Sequence, residues 1–550
     1  MKALSDDGGA GASGPHRNPD VTFPHAGEDT GLSVSLFRRH GGFPFTEGIP
    51  TLPPVIGGLL VITGAVVSAL AFPRFGPGWL ILPGIALFLA GLRIADSRGR
   101  GLLYGALYGL TFFGGLIWWL SELGLLAVVP LVVVQAAYFA AYGWWLARYH
   151  DRSHWAWFLL AVGGWALMEL IRYRFPVGGF EWGAAGYALS DQAWARALAP
   201  VYGTTGVTVL AVLLGVTVVA LTRKPRNWWL LAPLPLLVLA SGIPWIERAH
   251  YALEGQMVAI VQGSTPCPFE HCPPDERLRT FEQHLELTKT IEPGSVFLVV
   301  WSEGSTGSSN ADPVQNPEIG EAIAAEARRI GAWFLVGSDR PVSDTHWINA
   351  NVVFNPDGEI VGEYQKQHPV PFGEYIPWRP VFEWIPDLDQ VPRDMIPGDG
   401  PVVFDLSGGI RLGSVISFEG GFARYPLQHV RAGANLIVVA TNEGSYGTTP
   451  GSDQFIGMTR MRAAELGMHV AHAAVTGRST VIDPSGGLGD ESGLGTREIV
   501  YGTVAGMPDV SIYARTGDVL MIAAAVIGLF AWWRVKRPLV SSDAGTDEEE

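Results

Sequence analysis

Apolar residues follow two different rhythms along this chain. Over the first half they form long, nearly unbroken runs at roughly 54–72, 78–95, 101–120, 123–147, 155–172, 199–222 and 227–246, and an eighth follows at roughly 516–533. Glycine, proline or charge separates each run from the next. A hydrocarbon core about 30 Å thick takes about 20 helical residues to cross, so eight transmembrane helices are predicted. Between the seventh and eighth runs the apolar stretches shorten to strand length: MVAIVQG, SVFLVVW, AWFLVGS, ANVVFNP, EIVGEY, RLGSVIS, NLIVVAT, HVAHAAV, RSTVID and EIVYGTV. Helical patterns fill 274–291, 315–330 and 453–467 among them. Continuous apolar strands with intervening helices describe sheets covered on both faces, so this segment is predicted to be a layered α/β domain. Asp357-Gly358 supplies a hairpin turn.

The resulting order is a polar tail over 1–50, a seven-helix region over 51–246, an α/β domain over 247–515, a final helix over 516–537 and an acidic tail over 538–550. The tails lack apolar periodicity and are predicted to be disordered. No apolar segment near Met1 resembles a cleavable signal. Composition agrees with a membrane protein: 48% of residues are hydrophobic, 16% are charged, and mean hydropathy is +0.23. The net charge of -15 excludes a nucleic-acid partner, because phosphate backbones are held by basic surfaces.

Charge in the short loops sets the orientation. Arg38 and Arg39, then Arg93, Arg98 and Arg100, then Arg148 and Arg152, then Arg223, Lys224 and Arg226, and finally Arg534, Lys536 and Arg537 all fall on one side of the eight-span arrangement. That side is cytoplasmic, which puts both termini inside and the α/β domain outside; Arg172 and Arg174 are the exception. The segment between the fifth and sixth runs, which carries Trp182, is too long for a tight loop and is predicted to lie at the outer interface. Glu169 and Arg172 just before it are spaced to meet on one helix face.

Four strand ends in the α/β domain carry polar residues, which is where such sheets expose their chemistry. VVWSEG places Glu303 after an apolar strand; EYQKQHPVPFGEYIPW holds Lys366 and Glu374 in one proline-rich loop; GSVISFEGG ends in Ser417 with Glu419 two residues on. TNEGSYG and the following GMTRMRAAELG supply Asn442, Glu443, Tyr446 and Arg462. Each alone has an ordinary explanation as a solvated or ion-paired residue. The succession of a carboxylate, an ammonium and a small nucleophile-type residue, each ending an apolar run, is less easily dismissed.

That succession resembles the nitrilase superfamily. Eight spans with the domain inserted before the last, together with GGFEWGAAGYA, YQKQHPVPFGEYIPW, TRMRAAELG followed by TGRSTVIDPSG, and ARTGD before the final run, resemble the bacterial apolipoprotein N-acyltransferases. The resemblance implies an αββα sandwich outside the cytoplasmic membrane, with no metal and no cofactor. It implies transfer of a fatty acyl group from a phospholipid donor to the N-terminal cysteine amine of a diacylated lipoprotein. It also implies that Glu303 is the general base, Lys366 the oxyanion stabiliser and Ser417 the nucleophile position, supported by Glu374 and Glu419. Asn442, Tyr446 and Trp182 are the expected substrate-binding residues.

The family has cysteine where this chain has Ser417, and TNEGSYG departs from the family's usual loop. Two readings of different class follow, an active N-acyltransferase or a silent homologue that binds lipoprotein or phospholipid, and behind them stands a third, a membrane amidohydrolase of the wider superfamily. The chain's two cysteines, Cys267 and Cys272, are too few for a multi-cysteine metal site. Their spacing in an exported domain is expected to close a small disulfide loop.

Overall fold

The computed structural model describes residues 54–223, 255–268 and 276–536. The seventh apolar run and both tails lie outside these residues.

Helices occupy the other seven runs: Pro54–Leu70, Ile81–Arg93, Arg98–Leu116, Leu125–Ala147, His154–Arg172, Ala193–Arg223 and Val519–Lys536. Among the described residues four stretches are long and apolar enough to cross a bilayer, namely Leu125–Ala147, Trp155–Arg172, Ala193–Leu221 and Val519–Lys536; Pro54–Leu70 and Gly78–Arg93 are apolar but shorter. Leu59, Leu126, Val129, Val133, Ile522, Val526 and Phe530 stay exposed along these helices. Such apolar outer faces suit lipid rather than water. Small residues bring the helices together. A Cβ on Gly105 would come within 2.0 Å of the carbonyl oxygen of Phe139, and one on Gly163 within 2.3 Å of the Cα of Gly528.

The helix Ala193–Arg223 is interrupted at Gly203, where φ is 67° and ψ 172°. A Cβ there would lie 2.2 Å from the ring of Tyr513, so glycine answers both the backbone and the packing. The break frees the amide of Thr204, which donates to Glu465 of the α/β domain at 2.9 Å.

The α/β domain is a sandwich of two sheets. The first runs β13-β1-β2-β3-β4-β5, with β6 on β4; the second runs β12-β11-β10-β9-β8-β7. Here β1 is Gln256–Gln262, β2 Leu298–Trp301, β3 Trp333–Pro341, β4 His346–Phe354, β5 Ile360–Gln365, β6 Asp394–Met395 and β7 Val403–Asp405. The remainder are β8 Arg411–Ile416, β9 Leu436–Thr441, β10 Val470–Ala474, β11 Thr480–Ile482, β12 Leu488–Glu491 and β13 Glu498–Val504. Strands β1, β2 and β3 pair in parallel, as do β8, β9 and β10. All ten expected strands are present. The very short β6 and β7, β12 with its exposed polar residues, and the helix Arg424–Arg431 were not anticipated.

Val258, Val300, Leu335 and Val353 of the first sheet meet Leu412, Ile416, Val438 and Ala471 of the second in the inner core. Helices Leu278–Thr288 and Pro317–Ile330 cover the first sheet. The second sheet is covered by Arg424–Arg431 and Gly451–Leu466, and its apolar cluster continues without a break into the membrane helices through Phe113, Leu116, Trp119, Trp182, Phe422, Phe455 and Met458. The helix layer on that side is therefore shared with the apolar bundle. This sharing places the ends of β8 and β9 near aromatic residues of the bundle.

Candidate active site

The parallel strands end together, so the side chains that follow them converge. Glu303 follows β2 and Lys366 follows β5. Lys366 Nζ lies 3.3 Å from Glu303 Oε1 and 2.6 Å from Glu374 Oε1, and the lysine is fully buried. Two further donors hold Glu303: the Asn349 side-chain amide reaches Oε1 at 2.7 Å and the Asn442 backbone amide reaches Oε2 at 3.0 Å. Burial alone would depress the Lys366 ammonium, but the carboxylates of Glu303 and Glu374 outweigh it and hold the lysine above its ordinary value. Lys366 is therefore a fixed positive charge. Burial raises the Glu374 carboxyl against the pull of Lys366, and its second oxygen accepts from the Val370 amide at 2.7 Å.

Ser417 follows β8 with φ at 53°, a left-handed conformation uncommon for serine. It is half-buried, and its hydroxyl has no hydrogen-bond partner among the described residues. The register pairs Ile416 with Ala440, so Ser417 stands beside Thr441 and Asn442, the latter bonded to Glu303. Glu419 ties the other side. It is fully buried and accepts from the amides of Ile416 at 2.8 Å, Gln367 at 2.6 Å and His368 at 3.0 Å, and from the Tyr364 hydroxyl at 2.9 Å. One carboxylate thus fastens the turn carrying Ser417 to the residues directly after Lys366. Burial pushes the Glu419 carboxyl up to about 7.

An aromatic wall borders the serine turn. The Trp182 and Phe418 rings are stacked with centroids 6.5 Å apart, Tyr446 lies 4.5 Å from Trp119, and Trp119 lies 5.3 Å from Trp182. Gln454 Oε1 accepts from both indoles, at 2.7 Å from Trp182 and 3.3 Å from Trp119.

The structure therefore brings Glu303, Lys366, Glu374 and Asn442 into one cluster, attaches Ser417 to it through Glu419 and β9, and sets Trp182 and Tyr446 at its border. Arg462 stands elsewhere: it is buried in an ion pair with Glu465, 2.5 Å away, where the domain meets the bundle. Glu443 accepts from buried Ser452 and lies 3.0 Å from His472. Sequence reasoning missed Asn349, Trp119 and Gln454. Asn349 was visible as a polar residue in an apolar strand, and nothing in the sequence pairs it with Glu303. Cys267 is disulfide-bonded and offers no free thiol.

Membrane helices joined to a sandwich with this buried Glu–Lys–Glu cluster define a membrane-attached protein of the carbon–nitrogen hydrolase class, and a carbon–nitrogen hydrolase family model matches residues 257–507. The preceding helices match the apolipoprotein N-acyltransferase N-terminal domain over residues 64–217. The chain belongs to the apolipoprotein N-acyltransferase family. It is 29% identical to the apolipoprotein N-acyltransferase of Methylococcus capsulatus over 86% of this chain and 95% of that protein. The Nitrosomonas europaea enzyme is also 29% identical, over 83% and 93%, and that of Geobacter metallireducens 27%, over 86% and 95%.

Proposed function

We propose that this protein is an apolipoprotein N-acyltransferase that moves a fatty acyl chain from a phospholipid to the N-terminal amine of a diacylated lipoprotein. The observation that carries this reading is the Glu303–Lys366–Glu374 cluster beside a strained Ser417, in a domain whose helix layer shares its apolar core with the membrane helices. The loop that holds Glu374 continues into Trp378 and Trp384, 65% and 75% exposed, an apolar rim suited to lipid chains.

In the first half-reaction the Ser417 hydroxyl oxygen attacks the ester carbonyl and gives its proton to Glu303. Lys366 and neighbouring donors stabilise the oxyanion. The lysophospholipid alkoxide leaves with the proton returned by Glu303, and an acyl-serine remains. The acceptor amine then attacks that ester, Glu303 takes the amine proton and returns it to the serine oxygen, and the amide product departs. Eight spans, the domain outside the cytoplasmic membrane and both termini inside complete the reading. The boundaries are a 1–50 tail, 51–246 helices, a 247–515 domain, a 516–537 helix and a 538–550 tail.

A second reading rests on Ser417 itself. A hydroxyl needs a stronger base than a thiol does, and an oxyester yields to an amine less readily than a thioester. The unmodified chain then binds both substrates and turns over weakly. Incubation with phospholipid and a diacylated lipopeptide, with masses of peptide and protein measured, tests both. Transfer abolished by Ser417→Ala establishes serine as the nucleophile. Transfer gained only in Ser417→Cys supports the silent reading, and none in either form refutes acyl transfer.

A further inference from the structure

Asp339 lies on β3 directly across from Asn349 on β4, in the antiparallel register that pairs the two residues. Cross-strand partners share a face, with Cβ atoms about 5 Å apart. Asn349 turns its amide nitrogen to Glu303 at 2.7 Å, and its backbone carbonyl accepts from the Lys366 amide at 2.9 Å. Its amide orientation is fixed by that contact, since the reverse would set its oxygen against a carboxylate. This leaves Asn349 Oδ1 buried without a donor, and Asp339 Oδ1 is buried without a partner as well. Two buried acceptors left without donors at one cross-strand pair are costly, and a proton on Asp339 supplies the missing donor.

Charge counting reaches the same answer. Glu303, Glu374, Glu419 and Asp339 act with a single ammonium, Lys366, whose contacts go to the first two, while Glu419 is held by three backbone amides and the Tyr364 hydroxyl. Arg340, next in sequence, is committed to Glu363 and Asp312, the latter in the loop before the helix Pro317–Ile330. We infer that Asp339 is held as a neutral acid whose hydroxyl donates to Asn349 Oδ1, making it a positioning residue that fixes Glu303 through Asn349. Its catalytic consequence rests on the acyl-transfer reading above.

Burial, with Glu303 and Glu374 adding to it, pushes the Asp339 carboxyl up to about 7. The donor is thus present below that pH and lost above it.

The full-length protein, purified in detergent, should show an infrared carbonyl band of a neutral carboxylic acid that Asp339→Asn removes and that fades as pH rises through about 7. Asparagine keeps a donor at every pH. Asp339→Asn should therefore retain kcat within roughly threefold and lose the alkaline decline, whereas Asp339→Leu should lose roughly tenfold or more in kcat with KM unchanged. These rates are read in whichever of the unmodified or Ser417→Cys forms transfers. A spectrum unchanged by Asp339→Asn at every pH would overturn the inference, as would Asp339→Asn being as impaired as Asp339→Leu, or Asp339→Leu being unimpaired. If neither form transfers acyl chains, the enzymatic reading fails, and the infrared band still decides the protonation.

Discussion

Two buried charge clusters lie on either side of the serine turn, and they are built to different ends. In one, Lys366 sits among Glu303, Glu374 and Asp339, with strained Ser417 nearby and its hydroxyl uncommitted. In the other, Arg462 pairs with Glu465, donates to the Tyr187 hydroxyl at 2.6 Å and to Thr204 Oγ1 at 3.1 Å, while Thr204 donates through both its amide and hydroxyl to Glu465. Tyr187 reaches Glu181 and the carbonyl of Gly421, each at 3.0 Å. Both clusters are dry and rich in carboxylate. The second connects four segments of chain and joins the domain to the bundle; the first keeps an uncommitted hydroxyl beside it. Burial and charge alone therefore do not mark a catalytic site; groups left poised beside them do.

The sharpest break of this comparison is at Arg462. Removing one member of a buried pair strands the other charge, at about 3–5 kcal/mol, so Arg462→Met should lower the melting temperature steeply and activity only in proportion to lost fold. Replacing Arg462 and Glu465 together with methionine should restore much of the loss. Thermal unfolding of the purified protein measures both, and a double variant no more stable than the single one would contradict a structural role.

Lys366→Met and Glu303→Gln should behave in the opposite way. Loss of one oxyanion donor typically costs roughly 100- to 1000-fold in rate, so acyl transfer per folded, membrane-inserted molecule should vanish, a loss far beyond whatever stability Lys366→Met forfeits by stranding its two carboxylates. Near-parental turnover in either variant, read from lipopeptide mass, would remove the assigned roles.

A third test uses protons. His284 and His429 are buried and held down to about 4, and His368 to about 3, burial being the main cause in each case. The unfolded chain protonates them near 6.5. Their contribution to stability is full above that pH and is lost as pH falls through 6.5 toward 4. Buried carboxyls such as Glu419 and Asp339 shift the other way and gain stability over the same window, so the test is a difference: the melting temperature of the unmodified protein should fall relative to that of His429→Gln as pH drops from 7 to 4.5. A gap between the two that stays constant over that range would show that the His429 ring does not remain neutral.

The sequence made the two architectures legible for a simple reason. Long apolar runs and short β-branched runs carry different periods, and the ten longer strands, such as NLIVVAT, need no partner to be recognised. Edge strands such as Val403–Asp405 are too short to carry a period. Glu303, Lys366 and Ser417 were visible because each ends an apolar run, and Glu374 because it shares the proline-rich loop of Lys366. Asn349 was not, since its role depends on a strand-to-strand register and a partner 46 residues away. Arg462 and Glu443 were drawn toward the site by proximity in sequence to TNEGSYG, and side-chain direction separated them from it.

The smallest expected effect concerns the wall that lies between the clusters. Trp182 is buried, donates to Gln454 and stacks toward Phe418, the residue after Ser417. Trp182→Phe keeps an apolar ring and removes only the indole donor, leaving Gln454 still engaged by Trp119. The loss of one such bond is worth about 1 kcal/mol. If the wall shapes the acyl site, the change should raise KM for phospholipid about fivefold with kcat nearly constant. If instead the wall only fastens the domain to the bundle, the melting temperature should fall while KM stays where it was, and Trp182 would join Arg462 on the structural side.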